Sequence, residues 1–577
     1  MNNYMNVYEN WVNEPSLPEE LKVDLNAVLG NEQEIEDRFY QYLSFGTGGM
    51  RGLLGAGTNR MNVYTIRRVA EGLAQQIIAS GEEAMKRGVV IAYDTRHYSY
   101  EFALETAKIV GKHGIKAYVF KESRPTPELS FALRYLGAYA GVVITASHNP
   151  AEYNGFKVYG EDGGQLPPDA AEGIVRHMAT IENLFALEVA TEEALVEQGM
   201  LTFILEEIDT EYQKSLLTLQ ENPEMIAEQA KDFSIIFTPI HGSGLVPVVE
   251  GLKNFGFTDV QVVPEQAVQD SRFPTVPYPN PEERDTFELA IKLGQENGAD
   301  LLLATDPDAD RLGVAVRTKD GAYELLTGNQ LGALLLHYLL MEKKRKGILP
   351  ENGVVMKTIV TSEFGLAAAA KFGVPSINTL TGFKFISEKI EEFEKSGEHT
   401  FLFGYEESYG YLIGTFVRDK DAVQAALLTA EMAAYYKAQG KSLYEALIEL
   451  YDELGYYGDG LKSITLQGKD GQEKIAGIMA ELRENPVQSI GGIAVAAIED
   501  YKAGTRLLAD GTTEQLTLPE ADVIKYLLED GSWTCVRPSG TEPKCKLYFG
   551  VRKESAEEAE NALAALVEDM TKLVGVE

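Results

Sequence analysis

Hydrophobic positions in this chain fall into short continuous runs separated by longer amphipathic stretches. Up to about Leu43, acidic residues interleave with Leu, Val and Tyr, which predicts helices. Beyond that point the pattern becomes strand, loop, helix, repeated. Val89 to Tyr93 is an apolar run that stops at Asp94-Thr95-Arg96, Lys116 to Phe120 stops near Arg124-Pro125-Thr126-Pro127, and Gly141 to Ala146 stops at Ser147. A second round runs from Phe233 to Thr238 before His241-Gly242-Ser243-Gly244, then Val260 to Val263, then Asp300 to Ala304 before Asp306. A third comprises Val354 to Val360, Ser376 to Leu380 before Thr381-Gly382, and Phe401 to Phe403 before Glu406. The stretch Pro167 to Gln220 reads as long, polar and helical, and contains the first boundary. From about Gly458 strand and helix patterns mix. Ser532 to Val536 and Lys544 to Val551 alternate as strands do, and Glu554 to Leu573 is amphipathic at helical spacing.

Continuous apolar strands alternating with helices imply sheets covered on both faces. The fold class expected is therefore α/β: three similar α/β domains with mixed sheets, plus a smaller C-terminal α+β domain, around a central cleft. The boundaries expected are 1–205, 206–325, 326–458 and 459–577. In each round the third strand delivers polar residues: Ser147, then Asp306, Asp308 and Asp310, then Glu406-Glu407-Ser408. Ligands of such sheets sit beyond strand ends.

With 577 residues and 45% of them hydrophobic, the chain can fill several cores. Its 52 Lys and Arg against 88 Asp and Glu give a net charge of −36. That field repels nucleic acid and anionic membrane. An anionic substrate must then meet a locally basic pocket. The two cysteines, Cys535 and Cys545, argue against a disulfide framework and, lacking a CxxC or a His pair, against structural zinc. They read as two small residues on neighbouring strands. The first fifteen residues carry no basic and apolar leader pattern, and Leu331 to Met341 is too short to span a bilayer, so a cytoplasmic location is expected.

Thr145-Ala146-Ser147-His148-Asn149-Pro150, with Tyr153-Asn154-Gly155-Phe156-Lys157 behind it, presents one hydroxyl on a tight loop near a lysine. That is a covalent-catalysis arrangement, although Ser and Asn-Pro also begin ordinary turns. Of the seven histidines, His148 adjoins this site. Asp306-Pro307-Asp308-Ala309-Asp310-Arg311 places three carboxylates at alternate positions after a buried strand. A calcium loop would need Gly at its sixth position and Glu at its twelfth, where this chain has Arg311 and Arg317. Crowded carboxylates repel one another unless a cation neutralises them, and a small divalent ion such as Mg²⁺ suits them. An acidic turn on a solvated face is the plain alternative. Arg537-Pro538-Ser539-Gly540-Thr541-Glu542-Pro543-Lys544 offers cations, hydroxyls and a tight backbone for phosphate, or a hairpin turn. Gly46-Thr47-Gly48-Gly49-Met50-Arg51-Gly52 reads as a Gly-rich loop, either a flexible link or a backbone that brings Arg51 to a phosphate. Glu406 and Ser408, with Thr381, Gly382 and Lys384, read either as a carboxylate-and-hydroxyl set suited to sugar hydroxyls or as a solvated acidic turn. No GxSxG or HExxH occurs.

Together the motifs TASHNP with YNGFK, DPDADR, GYEES and RPSGTEPK, in that order over nearly the whole chain, resemble the α-D-phosphohexomutase superfamily. The N-terminal helices, TGFKF and KVY resemble its bacterial phosphoglucomutase branch more than its phosphomannomutase branch. The resemblance implies four domains and an isomerase that interconverts glucose 1-phosphate and glucose 6-phosphate. It works through a phosphoserine and a glucose 1,6-bisphosphate that also serves as activator. By that resemblance Ser147 is the phosphorylated residue. Asp306, Asp308 and Asp310 bind Mg²⁺ with a phosphoserine oxygen, and Arg311 stabilises charge beside it. Lys157 and Arg51 assist proton transfer and phosphoryl stabilisation, and Lys420 of Arg418-Asp419-Lys420-Asp421 is a further acid/base or phosphate contact. Glu406 and Ser408 hold sugar hydroxyls, and Arg537, Ser539, Gly540, Thr541 and Lys544 hold the phosphate that does not react. Tyr405 stands where the family usually has glycine. The expected partners are hexose phosphates, with neither nucleic acid nor membrane, in a monomer or homodimer. Phosphomannomutase or phosphopentomutase activity is the nearest alternative; a metal-dependent sugar phosphatase and a non-catalytic sugar-phosphate binder are the others.

Overall fold

The computed structural model describes residues 3–46, 48–465, 468–538 and 544–575. The chain forms two compact units. One comprises Met1–Leu325, Ser387–Ser396 and Gly410–Gln439; the other comprises Leu326–Ile386, Gly397–Tyr409 and Gly440–Glu577.

The first unit opens with the helices Asn3–Val12, Glu19–Ala27 and Glu32–Phe39 expected from the sequence. They bury an aromatic cluster in which Trp11 meets Phe39, Tyr64 and Phe185 edge-on at 5.3–5.8 Å. Six strands follow: β1 (Gly49–Leu53), β2 (Val89–Tyr93), β3 (Ala117–Phe120), β4 (Ala140–Ile144), β5 (Tyr153–Tyr159) and β6 (Leu201–Ile204). They form one sheet in the order β1-β5-β4-β2-β3-β6. β4, β2, β3 and β6 are parallel; β5 runs antiparallel to β4, and β1 antiparallel to β5. Every residue of β2 and β4 is buried, the signature of strands covered on both faces. The Gly-rich segment is therefore in part an edge strand: Gly49–Leu53 pairs with β5, which rules out a flexible link there. The strand β6 interrupts the stretch read as wholly helical.

A second sheet holds β7 (Ser234–Thr238), β8 (Asp259–Val262), β9 (Leu301–Thr305), β10 (Leu312–Arg317) and β11 (Tyr323–Leu326), in the order β11-β10-β9-β7-β8. β8, β7 and β9 are parallel, and β10 returns antiparallel along β9 with Leu312 opposite Thr305. Asp306 to Arg311 is thus the hairpin connection at the end of a fully buried strand.

In the second unit β12 (Gly353–Thr358) pairs in parallel with β13 (Ser376–Thr379) and β14 (Thr400–Glu406). The short β15 (Gly410–Leu412) and the helix Ala422–Ala438 that follows belong to the first unit. That helix is buried almost all round, so it needs neighbours on every side; Leu427 lies against Gly251 of the helix Leu245–Phe255.

The C-terminal part of the second unit is an antiparallel sheet of β16 (Tyr456–Thr465), β17 (Ser489–Ile490), β18 (Ile493–Asp500), β19 (Thr505–Leu508), β20 (Thr513–Gln515), β21 (Ile524–Leu528), β22 (Trp533–Pro538) and β23 (Lys544–Lys553). The main path runs β16-β23-β22-β21-β18-β19-β20, with β17 beside β18. The closing helix is Ala556–Leu573, capped by the Ser555 side chain. Ile475, Met479, Leu566 and Met570 pack on one face of this sheet; Trp533, Cys535 and Tyr548 pack with Ile359, Val360 and Leu380. Cys535 and Cys545 are buried free thiols on the adjacent strands β22 and β23. Three sheets that contain parallel pairs, and a C-terminal sheet that is antiparallel, agree with the expected α/β class. No described helix is long and apolar enough to cross a membrane.

Candidate functional site

Register sets the site. Tyr93 pairs with Ile144, so the ends of β2 and β4 lie side by side, and the loops leaving them must share space. Ser147 sits in the left-handed region with φ 53°, its N–H donating to Thr145 Oγ1 at 2.8 Å. Arg96, carried by the loop after β2, donates to the carbonyl oxygens of Ser147, Asn149, Pro150 and Tyr153. Asp94 anchors that guanidinium by an ion pair at 3.2 Å, and both side chains are fully buried. Asp94 in turn accepts from the Arg96 N–H and the Ser99 hydroxyl at 2.9 and 2.7 Å.

The carboxylate loop meets the serine directly. Ser147 Oγ donates to Asp306 Oδ2 at 2.9 Å and lies 3.2 Å from His148 Nδ1. Asp306 Oδ1 accepts the N–H groups of Asp310 and Arg311, which wraps the loop around it. Behind the loop, Ser243 donates through its N–H and its hydroxyl to the Pro307 carbonyl. A Cβ on Gly242 would stand 2.5 Å from Pro307 Cα, so this approach requires glycine.

Asp308 Oδ2 accepts from Thr126 Oγ1 at 2.9 Å and from Lys157 Nζ at 3.0 Å. Asp310 Oδ2 lies 3.0 Å from Lys420 Nζ and 3.7 Å from Lys157 Nζ. Arg311 pairs with Glu282, and Arg51 donates to Asn149 Oδ1 at 3.1 Å. Lys420 lies across Gly410, which leaves room for its alkyl chain, and pairs with Asp419, which accepts the Tyr159 hydroxyl at 2.7 Å.

Electrostatics follow from this crowding. Burial, then the charges of Asp308 and Asp310, push Asp306 well above the usual carboxylate range. Burial would raise Asp308 too, but the charge and hydrogen bond of Lys157, with the hydrogen bonds to Asp306 and Thr126, together hold the group low. Burial also opposes the charge on Lys157, yet Asp308 and Asp310 prevail and raise its pKa. Burial and the nearby Arg311 and Arg51 keep the His148 imidazole neutral.

Carboxylate oxygens of Asp306, Asp308 and Asp310 all lie within 4.8 Å of one another. Asp308 Oδ1 and Asp310 Oδ1 are buried and have no hydrogen-bond partner among the described residues. Buried acceptors without a donor are costly, and three oxygen ligands at this spacing suit a hard divalent cation. The residues present fit a metal ion.

In the second unit, Glu406 ends β14 and accepts the Gly382 N–H at 2.9 Å; Gly382 has φ 120°, a conformation open to glycine. Thr381 Oγ1 is buried without a hydrogen bond among the described residues. Lys384 is buried with its ammonium 5.1 Å from the Phe385 ring, and Ser408 lies half-buried in the turn after β14. Arg537 sits on β22 opposite Lys546, and Lys544 begins β23. Ser539, Gly540 and Thr541 lie outside the described residues.

The structure thus brings together Ser147, His148, Lys157, Asp306, Asp308, Asp310, Arg311 and Lys420, with Arg51 one hydrogen bond away. Sequence reading passed over Arg96 and Thr126. Their only signal was position, each just past the end of an apolar run.

Residues 42–185, 210–321 and 327–454 match α/β/α domains I, II and III of phosphoglucomutase/phosphomannomutase, and residues 475–568 match its C-terminal domain. A phosphoglucomutase of Staphylococcus haemolyticus is 39% identical over 526 residues, covering 91% of this chain and 93% of that protein. One from Staphylococcus aureus strain USA300 is 37% identical over 540 residues, covering 93% and 95%. Among solved structures, the open form of pp63/parafusin, a Paramecium phosphoglucomutase, superposes with a TM-score of 0.68 at 18% identity over 93% of this chain and 95% of that one. A phosphoglucomutase/phosphomannomutase family protein of Burkholderia thailandensis gives 0.65 at 17% identity over 92% and 98%; these two similarities concern the fold. With all four of its domains matched in order, the chain belongs to the phosphoglucomutase/phosphomannomutase family.

Proposed function

We propose that this chain is a phosphoglucomutase, an isomerase that interconverts glucose 1-phosphate and glucose 6-phosphate through phospho-Ser147 and a glucose 1,6-bisphosphate intermediate. One observation carries the reading: a serine hydroxyl hydrogen-bonded to one of three clustered, buried aspartates, two of which keep an oxygen without a hydrogen bond. The curated relatives bear the same activity in their names.

A phosphorylated Ser147 would hold its phosphoryl group where Lys157, Lys420 and Arg311 supply positive charge. A hydroxyl of the sugar phosphate attacks phosphorus; the new sugar O–P bond forms as the Ser147 O–P bond breaks. The attacking hydroxyl loses its proton, and the departing serine oxygen gains one. Those transfers fall to His148, neutral and able to accept, and to Lys157, held charged and able to donate. The bisphosphate then reorients and returns its other phosphoryl group to Ser147. Glu406 and Ser408 would hold the sugar hydroxyls, and Arg537, Lys544 and the loop between them the phosphate that does not react. Mg²⁺ held by Asp306, Asp308, Asp310 and a phosphoserine oxygen would offset charge on the transferring group. Added glucose 1,6-bisphosphate would act as activator by restoring phospho-Ser147.

The test combines peptide mapping for one phosphoryl group on Ser147 with turnover of glucose 1-phosphate. Ser147→Ala should lower kcat at least about a thousandfold while leaving the melting curve in place; near-normal turnover in that variant ends the proposal. Comparing kcat/KM for glucose, mannose and ribose 1-phosphates separates the mutase readings.

A further inference from the structure

The carboxylate next to the sugar-binding Glu406 faces a different set of partners. Glu406 accepts the Gly382 N–H. Glu407 instead accepts from the hydroxyl of Thr361 at 3.0 Å and of Thr358 at 3.4 Å, and its own N–H donates back to Thr361 Oγ1 at 3.3 Å. Thr358 ends β12, Thr361 lies just after it, and both are held in turn by Lys357. The buried ammonium of Lys357 donates to the carbonyls of Thr358 and Thr361 at 3.2 and 3.0 Å, and to Glu363 at 3.0 Å. On the other side of Glu406, Tyr405 is buried with its ring against Gly332 and Gly365; any Cβ at either glycine would collide with it. Gly328, which begins the helix Gly328–Arg345, leaves room in the same way for the Glu407 carbonyl. The tyrosine in a position where the family usually has glycine is thus accommodated by the glycines facing it, Gly332 and Gly365.

We infer that Glu407 and Thr361 are positioning residues of the sugar-binding turn, fixing where Glu406 and Ser408 stand and thereby how well the enzyme tells glucose from mannose phosphates. This rests on the reading of Glu406 and Ser408 as sugar contacts. Residues alternate sides as a strand ends, so a turn that fastens Tyr405 and Glu407 inward leaves Glu406 one way to face. A reciprocal pair, hydroxyl to carboxylate and N–H to hydroxyl, allows little rotation of the turn. Loss of either partner would let the turn drift, and a site built on hydrogen bonds to substrate hydroxyls loses discrimination when its groups drift.

Glu407→Gln keeps the shape of the side chain and weakens the charge-assisted bonds; Thr361→Val keeps volume and removes the hydroxyl; Thr361→Ser restores it. The measurement is kcat and KM for glucose 1-phosphate and mannose 1-phosphate, with melting curves and Ser147 phosphorylation by glucose 1,6-bisphosphate as controls. Glu407→Gln and Thr361→Val should each raise KM for glucose 1-phosphate and shrink the glucose-to-mannose ratio of kcat/KM by roughly tenfold. Thr361→Ser should recover most of it, and Ser147 phosphorylation should persist throughout. A folded Glu407→Gln that keeps the wild-type ratio within about twofold overturns the inference, and so does a Thr361→Ser that behaves like Thr361→Val. An inactive wild-type chain would instead sink the functional reading itself.

Discussion

Arg96 commits its guanidinium to the carbonyls of Ser147, Asn149, Pro150 and Tyr153, while Asp94 balances its charge. A lysine at that position is a point charge that cannot fork onto several acceptors. Each buried carbonyl left unpaired costs about 1–3 kcal/mol. Arg96→Lys should therefore fold with a melting temperature lowered by several degrees and reduce kcat roughly 10- to 100-fold, because misplacing a reacting group by about 1 Å can cost that much. Steady-state kinetics beside thermal denaturation check this; a variant with wild-type kcat would remove Arg96 from the positioning of Ser147. Residues of this kind divide what sequence reading could reach from what it could not. Ser147 and the three aspartates were legible because they follow directly on apolar runs and bring a hydroxyl near a lysine and three crowded carboxylates. Arg96 and Thr126 were not, since their partners lie far along the chain, 51 residues away for the bond from Arg96 to Ser147 and 182 for that from Thr126 to Asp308.

At the scale of elements, the helix Ala422–Ala438 ties charge to stability. Asp421 caps it, accepting the N–H groups of Val423 and Gln424, and takes the Tyr212 hydroxyl as well. Burial nevertheless pushes this carboxyl up to about 6, against the hydrogen bonds that favour its charge. A raised carboxyl pKa means the folded state keeps a proton that the unfolded chain has lost. Stability therefore falls as pH rises from about 4 to about 6, by up to about 3 kcal/mol at 1.36 kcal/mol per unit, and stays reduced above that. Asp421→Asn keeps the cap acceptor and removes the titration. Its stability relative to wild type should grow across that window in denaturant unfolding; parallel curves would refute the assignment. Elements also show where pattern reading fails. β1 is Gly-Met-Arg-Gly-Leu, without a β-branched residue, and is a strand because β5 pairs with it. β6 spans Leu201–Ile204 at the sheet edge, too short to break the helical pattern around it.

Across the whole molecule, the first unit gathers its candidate site from segments near residues 51, 96, 126, 147, 157, 306–311 and 420. A metal bound there would bind the folded form alone, so stripping it should cost stability as well as activity. Chelation should abolish isomer formation and lower the melting temperature by a few degrees, and millimolar Mg²⁺ should restore both. An unchanged melting curve would place the cation elsewhere. The net charge of −36 makes cations at the site matter, since Lys157, Lys420 and Arg311 are already paired with Asp308, Asp310 and Glu282 and a divalent ion held by the aspartates would add the positive charge a phosphorylated sugar needs. The sequence by itself determined the alternation of strands and helices, the order of the motifs and the chemistry at the strand ends, because local periodicity dictates element type and burial. Only the tertiary structure decided that Lys420 reaches Asp310, that Arg96 holds the serine loop, and that Glu407 is pinned by Thr361 while its neighbour takes the Gly382 N–H. Those contacts depend on strand register and on how segments distant in sequence pack, which no local pattern encodes.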